Sequence, residues 1–206
     1  MLYKRGMLKL YYIPKTRSSR ARWMLEELGV PYELVRMTFQ DAKSPEYLRI
    51  HPLGAVPALK DGETTVFESA AIIAYLADAF PERGFAPPTS SPQRAGYYQW
   101  IIYAMATLEP CVIAFVAHTT KRPEADRSPI IAQESRAELI RAARPVEELL
   151  RNRPFLLGES ITAADLVLGS VMNWAAAAKL IDDFPQLQGY VERLRARPAF
   201  QASRKD

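Results

Sequence analysis

The first forty residues alternate between two hydrophobic periodicities, and this alternation limits the folds that the chain can adopt. Residues 8–13 (LKLYYI) form a compact β-prone run, and residues 30–37 form a second one. Apolar residues between the two runs repeat at helical spacing, and they are Ala21, Met24, Leu25 and Leu28. Gly29 follows this segment as a helix C-terminal residue. A strand, a helix and a strand joined by this short crossover predict a βαβ unit, in which the two strands are parallel.

A second pattern of strands and a helix follows. Ser44 and Pro45 are typical of an N-cap and a first helical residue. Asp61-Gly62 is a hairpin turn signal before the β-prone run 64–67, and residues 69–80 show helical periodicity. The order βαβ then ββα indicates a small α/β domain.

A proline-rich segment separates this domain from the rest of the chain. Residues 81–92 contain prolines at positions 81, 87, 88 and 92, together with Gly84, a composition that is typical of a linker. Both Met1 and Met7 could be the true start. We predict an N-terminal tail at 1–6, an α/β domain at 7–82, a linker at 83–92 and an all-helical domain at 93–206.

Every periodic segment of the second domain is helical. A long helix is predicted over residues 128–152, with a kink at Pro145. Thr162 and Asp165 are spaced as a capping box at the start of a mostly apolar helix.

Composition excludes several classes of function. Cys111 is the only cysteine and His51 and His118 are the only histidines, so neither an intramolecular disulfide nor a metal site is expected. The net charge is +4, but basic residues are interleaved with acids, which argues against nucleic acid as a partner. Without an apolar run of roughly 18 residues or a secretory signal, we expect no membrane association and a cytoplasmic location.

Several motifs, taken in order, resemble those of the cytosolic glutathione S-transferases. They are Lys43-Ser44-Pro45-Glu46, residues 51–59 (HPLGAVPAL), Phe67-Glu68-Ser69 and Gly158 with Thr162-Ala163-Ala164-Asp165. The resemblance covers residues 8–200 and implies a thioredoxin-like α/β N-terminal domain followed by an all-helical domain. It is to bacterial members that depend on a Ser or Thr hydroxyl, because residues 14–19 contain no cysteine.

The resemblance implies a binding site for glutathione as co-substrate, without a metal. Pro57 would be in the cis form, and the backbone of Val56 would pair with the cysteinyl part of glutathione. Glu68 and Ser69 would hold the γ-glutamyl end, and Lys43 the glycine carboxylate. Arg17 is a further glutathione-binding candidate. This chain has Ala55 where many relatives carry Lys or Gln, so one contact to the glycine end would be missing.

The resemblance also implies a hydroxyl that stabilises the glutathione thiolate near the end of the first strand. Thr16 is the first candidate and Ser18 the second, because relatives with an Asn-Ser-Arg-Ser motif place their serine at position 16. Tyr12 is a third candidate, because other classes use a strand-end tyrosine. Ser18 and Ser19 could also be simple helix caps.

The implied activity is conjugation of glutathione to a small hydrophobic electrophile by a homodimer, with glutathione peroxidase activity as a second candidate activity. The electrophile pocket would lie between the domains, with six candidate lining residues, which are Tyr12, Tyr97, Trp100, Tyr103, Met105 and Phe115. A non-catalytic binding or regulatory protein and a glutathione-dependent isomerase are the alternatives. A Ser-Ser-Cys signature, typical of isomerases acting on maleyl-type diketo acids, is absent.

Overall fold

The computed structural model describes residues 6–205. Residues 1–5 of the predicted tail lie outside this range. Gly6 lies inside it, and its N–H donates to Oδ1 of Asp61 at 3.2 Å. Contacts divide the chain into two compact units, Met1–Phe85 with Ala196–Asp206, and Ala86–Arg195.

The first unit contains a four-stranded mixed sheet in the order β2-β1-β3-β4. The strands are β1 (Leu8–Tyr12), β2 (Tyr32–Arg36), β3 (Ala58–Asp61) and β4 (Thr64–Phe67). β1 is parallel to β2, as the short helical crossover predicts, whereas β3 is antiparallel to both β1 and β4. Alternate residues of β1 are buried, so one side of the strand faces the core of the unit.

Helices of the first unit connect and cover these strands. They are α1 (Ser18–Leu28), α2 (Pro45–Leu48) and α3 (Ser69–Ala79). Gly29 adopts a left-handed conformation (φ 61°) and its N–H bonds to the carbonyl of Leu25, which ends α1 as predicted. Ser44 caps α2 by accepting the N–H of Tyr47. α1 and α3 pack against each other.

The C-terminal residues belong to the first unit, whereas the sequence predicts a helical domain that runs to residue 206. A short helix, α9 (Pro198–Ala202), packs on α1. Phe200 makes an edge contact with Trp23 at a centroid distance of 5.0 Å, and Arg197 forms a two-pronged ion pair with Glu27 at 2.6 and 2.8 Å. These partners lie far apart in sequence, which is why local periodicity does not reveal the return of the chain.

The main secondary-structure elements of the second unit are helices, as predicted. Its helices are α4 (Gln93–Tyr103), α5 (Glu109–Val116), α6 (Pro129–Leu149), α7 (Ala163–Ala177) and α8 (Pro185–Arg195). α6 contains Pro145 and continues beyond it to Leu149. The core of the unit includes Tyr97 and Ile101 of α4 and also Leu108, which are all buried.

The helical run that contains α4 and α5 includes two π-helical segments, Ala104–Leu108 and Ala117–Lys121. The N–H of Glu109 bonds to the carbonyl of Ala104, five residues earlier. Pro110 explains the first segment, because proline has no N–H to donate to the carbonyl four residues before it and its ring would clash with that carbonyl.

The capping box at the start of α7 is confirmed. Oδ2 of Asp165 accepts the N–H and the hydroxyl of Thr162 at 2.8 and 2.9 Å. Oδ1 accepts the N–H of Leu156 at 2.8 Å and the hydroxyl of Tyr190 at 3.0 Å. Burial raises the pKa of Asp165 and these hydrogen bonds oppose that rise. The carboxylate therefore joins three segments of the helical unit.

One helical run among residues 6–205 is long and apolar enough to cross a membrane, Gln93–Lys121, whereas the sequence analysis expects none. Only Arg94, Glu109 and Lys121 are charged in its 29 residues. Its contiguous apolar stretches are short, so no single apolar run marks it in the sequence. Length and composition are weak evidence for a membrane span, because core helices meet the same criteria.

Candidate active site

Strand register brings three segments of the first unit to one edge of its sheet. Ala58 at the start of β3 pairs with Tyr11 near the end of β1, and it also pairs with Phe67 at the end of β4. The residues after β1, before β3 and after β4 are therefore neighbours. These segments contain the candidates Thr16, Val56-Pro57 and Glu68-Ser69.

The turn between β1 and α1 holds the two hydroxyls that the sequence singles out. Oγ1 of Thr16 lies 2.7 Å from the carbonyl oxygen of Ile13 and 2.6 Å from Oγ of Ser18. Oγ of Ser18 lies 2.8 Å from the same carbonyl and accepts the N–H of Ile13 at 3.2 Å. Three oxygen atoms thus form a hydrogen-bonded triangle.

The two hydroxyls differ in accessibility. Ser18 is 0% exposed, whereas Thr16 is partly exposed and lies between the exposed Lys15 and Arg17. The N-cap of α1 is Arg17, without a side-chain cap bond, so Ser18 is the first helical residue rather than the cap. Of this pair, Thr16 is the hydroxyl that a ligand can reach.

Tyr12, the third candidate hydroxyl, is 1% exposed. The guanidinium of Arg22 lies over its ring at 5.4 Å. In this structure Tyr12 is part of the core of the first unit.

The peptide bond between Val56 and Pro57 is cis, which confirms the prediction for Pro57. Pro57 is buried and Val56 is partly buried. Within residues 6–205, the backbone N–H and C=O of Val56 have no backbone hydrogen-bond partner. Both groups can therefore pair with an extended peptide, as strand addition requires.

Two side chains brace the loop that precedes Val56. Nζ of Lys43 donates to the carbonyls of Leu53 and Gly54, both at 3.3 Å. The hydroxyl of Tyr47 donates to the carbonyl of Ala55 at 2.6 Å, and burial raises the pKa of Tyr47. The three consecutive carbonyls of residues 53–55 thus each accept a side-chain hydrogen bond. Lys43 is exposed, and its positive charge lies beside this loop.

His51 also contacts this loop. Its Nδ1 accepts the N–H of Leu53 at 3.3 Å, and its ring packs between Tyr47 and Phe67 at centroid distances of 6.4 and 4.9 Å. Accepting this bond requires a neutral ring. Burial lowers the pKa of His51, with a smaller opposing contribution from Glu68.

Glu68 and Ser69 lie where β4 turns into α3. Glu68 is exposed and has a positive φ of 71°, a conformation that costs a non-glycine residue free energy and is found at functional sites. Ser69 is buried as the first residue of α3, so its hydroxyl lies beside the unpaired N–H groups of the helix N-terminus. This combination of a hydroxyl and helix amides suits a carboxylate.

Arg20 is a further candidate, which the sequence motifs do not single out. It is 4% exposed, and its Nη1 donates to Oγ of Ser69 at 3.2 Å. Its spacing to Met24 and Leu28 places it on the apolar face of α1, where a charge is unusual. A charged residue on an apolar helix face was the available signal.

The other pocket candidates lie in the helical unit. Tyr97 is 0% exposed and packs as a core residue, and Trp100 is also buried. Tyr103, Met105 and Phe115 are partly exposed, and the hydroxyl of Tyr103 donates to the carbonyl of Ala142 at 2.9 Å. Among the described residues, no group of three or more His, Cys, Asp or Glu could hold a metal ion.

Comparisons with known proteins agree with both units. Residues 6–78 match the family model of the glutathione S-transferase N-terminal domain, and residues 109–198 match that of the C-terminal domain. Glutathione S-transferase GstA of Escherichia coli O157:H7 is 30% identical over 94% of this chain and 96% of its own length. Glutathione S-transferase 4 of Zea mays is 33% identical over 88% of this chain and 84% of its own length.

A solved structure of glutathione S-transferase I bound to lactoylglutathione is also similar. It superimposes with a TM-score of 0.83 and is 27% identical, covering 97% of this chain and 99% of its own. Fold, motif order and sequence identity agree over nearly the whole chain, and we conclude that the protein belongs to the glutathione S-transferase family.

Proposed function

We propose that this protein is a glutathione transferase that conjugates the thiolate of glutathione to a small hydrophobic electrophile. The observation that carries the proposal is the meeting, at one sheet edge, of an accessible hydroxyl at Thr16, a peptide-pairing backbone at Val56 and an anion site at Ser69. Such a constellation can bind a peptide-like thiol and stabilise its anion.

Each part of glutathione has a matching group in this proposal. The backbone of Val56 pairs with the cysteinyl residue. Glu68 receives the α-amine of the γ-glutamyl end, and Ser69, the amides of α3 and the charge of Arg20 receive its α-carboxylate. Lys43 and Arg17 contribute positive charge toward the glycine end and the entrance. Because Lys43 is held by two carbonyls, its main effect is to keep the loop before Val56 in place.

Thr16 donates a hydrogen bond to the glutathione sulfur and thereby lowers the pKa of the thiol. The N-terminus of α1 favours the same anion. The thiolate is the reactive nucleophile, and Thr16 stabilises it without acting as a base. Among the candidates for the electrophile pocket, Tyr103, Met105 and Phe115 have exposed surface with which to contact an apolar substrate.

The test combines retention on immobilised glutathione with two assays of the intact protein, conjugation of a generic aryl halide and reduction of a hydroperoxide. We expect retention and a conjugation rate that Thr16→Val reduces at least about tenfold. Retention without either activity would favour a non-catalytic binding protein. Turnover only with a cis double-bond substrate would favour an isomerase, and failure in all assays would overturn the proposal.

We also propose that the protein is a cytoplasmic homodimer. Large apolar side chains along one helical run of the second unit are exposed, notably Ile102 at 63%, with Tyr98 and Ile113. Apolar residues exposed in this way are typical of protein–protein interfaces. Light scattering is expected to give twice the chain mass, and Ile102→Asp is expected to shift the protein toward monomer.

A further inference from the structure

We propose that Ser18 is a positioning residue that leaves the hydroxyl of Thr16 free to donate a hydrogen bond to the bound thiolate. The inference rests on the proposed function and concerns the hydrogen-bonded triangle of Ile13, Thr16 and Ser18. Ser18 has no exposed surface and cannot itself contact glutathione. Its role must therefore act through Thr16.

The triangle has more hydrogen-bond contacts than protons. The triangle contains three oxygen–oxygen contacts of 2.6, 2.7 and 2.8 Å, but its two hydroxyls supply only two protons. Two other contacts are fixed in direction, because backbone N–H groups can only donate. Ser18 accepts the N–H of Ile13, and Thr16 accepts the N–H of Ser18, both at 3.2 Å.

One arrangement satisfies every group and leaves a proton available. Ser18 donates to the carbonyl of Ile13, so that carbonyl does not need Thr16. Thr16 still accepts the N–H of Ser18, which holds its oxygen in place. Its proton bridges to Oγ of Ser18 at 2.6 Å in the free protein. When this proton turns to a thiolate, Oγ of Ser18 still accepts the N–H of Ile13 and still donates to the carbonyl of Ile13, so no buried polar group loses its last partner.

Without the hydroxyl of Ser18 this arrangement is impossible. Only the hydroxyl of Thr16, at 2.7 Å, would then remain to donate to the carbonyl of Ile13. If Thr16 donated to the thiolate instead, that carbonyl would have no side-chain donor. The N–H of Ile13 would also lose its acceptor. A Thr16 proton held by Ile13 cannot stabilise the thiolate, although the Thr16 side chain is unchanged.

The test is the pKa of the glutathione thiol bound to the intact protein, measured by thiolate absorbance against pH, together with the pH profile of kcat/KM. We expect Ser18→Ala to raise this pKa by about 1 unit, close to the shift in Thr16→Val. Ser18→Thr keeps the hydroxyl and is expected to restore the wild-type value. Ser19→Ala is the matched control, since Ser19 is buried next to Ser18 but its side chain is outside the triangle.

The outcomes separate this inference from the proposed function. A shifted thiol pKa in Thr16→Val with a wild-type value in Ser18→Ala would overturn the role of Ser18 only. An unchanged pKa in Thr16→Val would overturn the assignment of Thr16 itself. If Ser18→Ala does not fold, Ser18→Val has the shape of Ser18→Thr without a hydroxyl, and a wild-type thiol pKa in Ser18→Val would equally contradict the inference.

Discussion

The guanidinium of Arg20 donates to the hydroxyl of Ser69 at 3.2 Å, although the two residues are 49 positions apart in sequence. This bond joins the first helix of the α/β unit to the N-terminus of α3. A buried positive charge beneath Ser69 also favours an anion bound there, more strongly than an exposed charge would.

The first prediction concerns this pair. We expect Arg20→Lys to raise the KM for glutathione about tenfold with a smaller effect on kcat, because an ammonium cannot reproduce the fork of guanidinium donors. Steady-state kinetics at varied glutathione concentration measure this effect. Arg36→Lys, on the exposed end of β2, is the control. Equal KM values in the wild type and Arg20→Lys would show that the buried charge does not act on the ligand.

A second prediction concerns Ala55, whose side chain brings no charge to the exposed loop braced by Lys43 and Tyr47. We expect Ala55→Lys to lower the KM for glutathione about two- to fivefold, the effect of one additional exposed ion pair with the glycine carboxylate. γ-Glutamylcysteine lacks the glycine, so its KM is expected to stay unchanged in the same assay. A parallel change for both thiols would mean that position 55 does not contact the glycine end.

A third prediction is a pH dependence that originates in His51. Burial lowers the pKa of His51, so the folded protein binds its proton less tightly than the unfolded chain does. The stability from the neutral ring is therefore complete above the unfolded pKa of about 6.5 and decreases as the pH falls toward the lower folded pKa. Urea unfolding at pH 8, 6.5 and 5 measures this decrease.

The matched variant for His51 is His51→Asn. An asparagine oxygen can accept the N–H two residues later, as Nδ1 does for Leu53, but it does not titrate. We expect the stability difference between the wild type and the variant to change between pH 6.5 and 5 and to be constant above pH 7. A difference independent of pH would contradict the role of His51.

The fourth prediction concerns Asp165 in the helical unit. We expect Asp165→Ala to lower the free energy of unfolding by about 3 kcal/mol or more, because the N–H groups of Leu156 and Thr162 and the hydroxyl of Tyr190 lose a buried acceptor. Urea unfolding measures the loss, with Asp183→Ala on the surface as control. A loss within about 0.5 kcal/mol, which is usual for surface substitutions, would contradict the central role of this carboxylate.

Much of the fold is predictable because it depends on local chemistry. Gly29 ends α1 because glycine accepts a left-handed conformation at low cost, and the Thr162–Asp165 spacing closes a capping box within one helical turn. β1 and β2 are parallel because the helix α1 that connects them returns the chain to the end of the sheet where β1 began. These features depend only on residues that are close in sequence, so they can be predicted from the amino-acid sequence.

The candidate site can be predicted only in part from local sequence. Motif order predicts Val56-Pro57, Glu68 and Ser69 as site residues, and of these predictions the cis peptide is confirmed. It does not distinguish Thr16 from Ser18, because both are hydroxyls in one polar turn. Their difference lies in burial and in two contacts to Ile13, which depend on where the end of β1 meets α1.

The sequence by itself determined the family, the order of strands and helices and the types of residue available for thiolate chemistry, because periodicity, caps and turns act over a few residues. Only the tertiary structure decided that Thr16 faces outward while Ser18 is enclosed, that Arg20 lies beneath Ser69, and that α9 returns to α1. Those relations are set by packing between distant segments, and burial there decides which polar groups can meet a ligand.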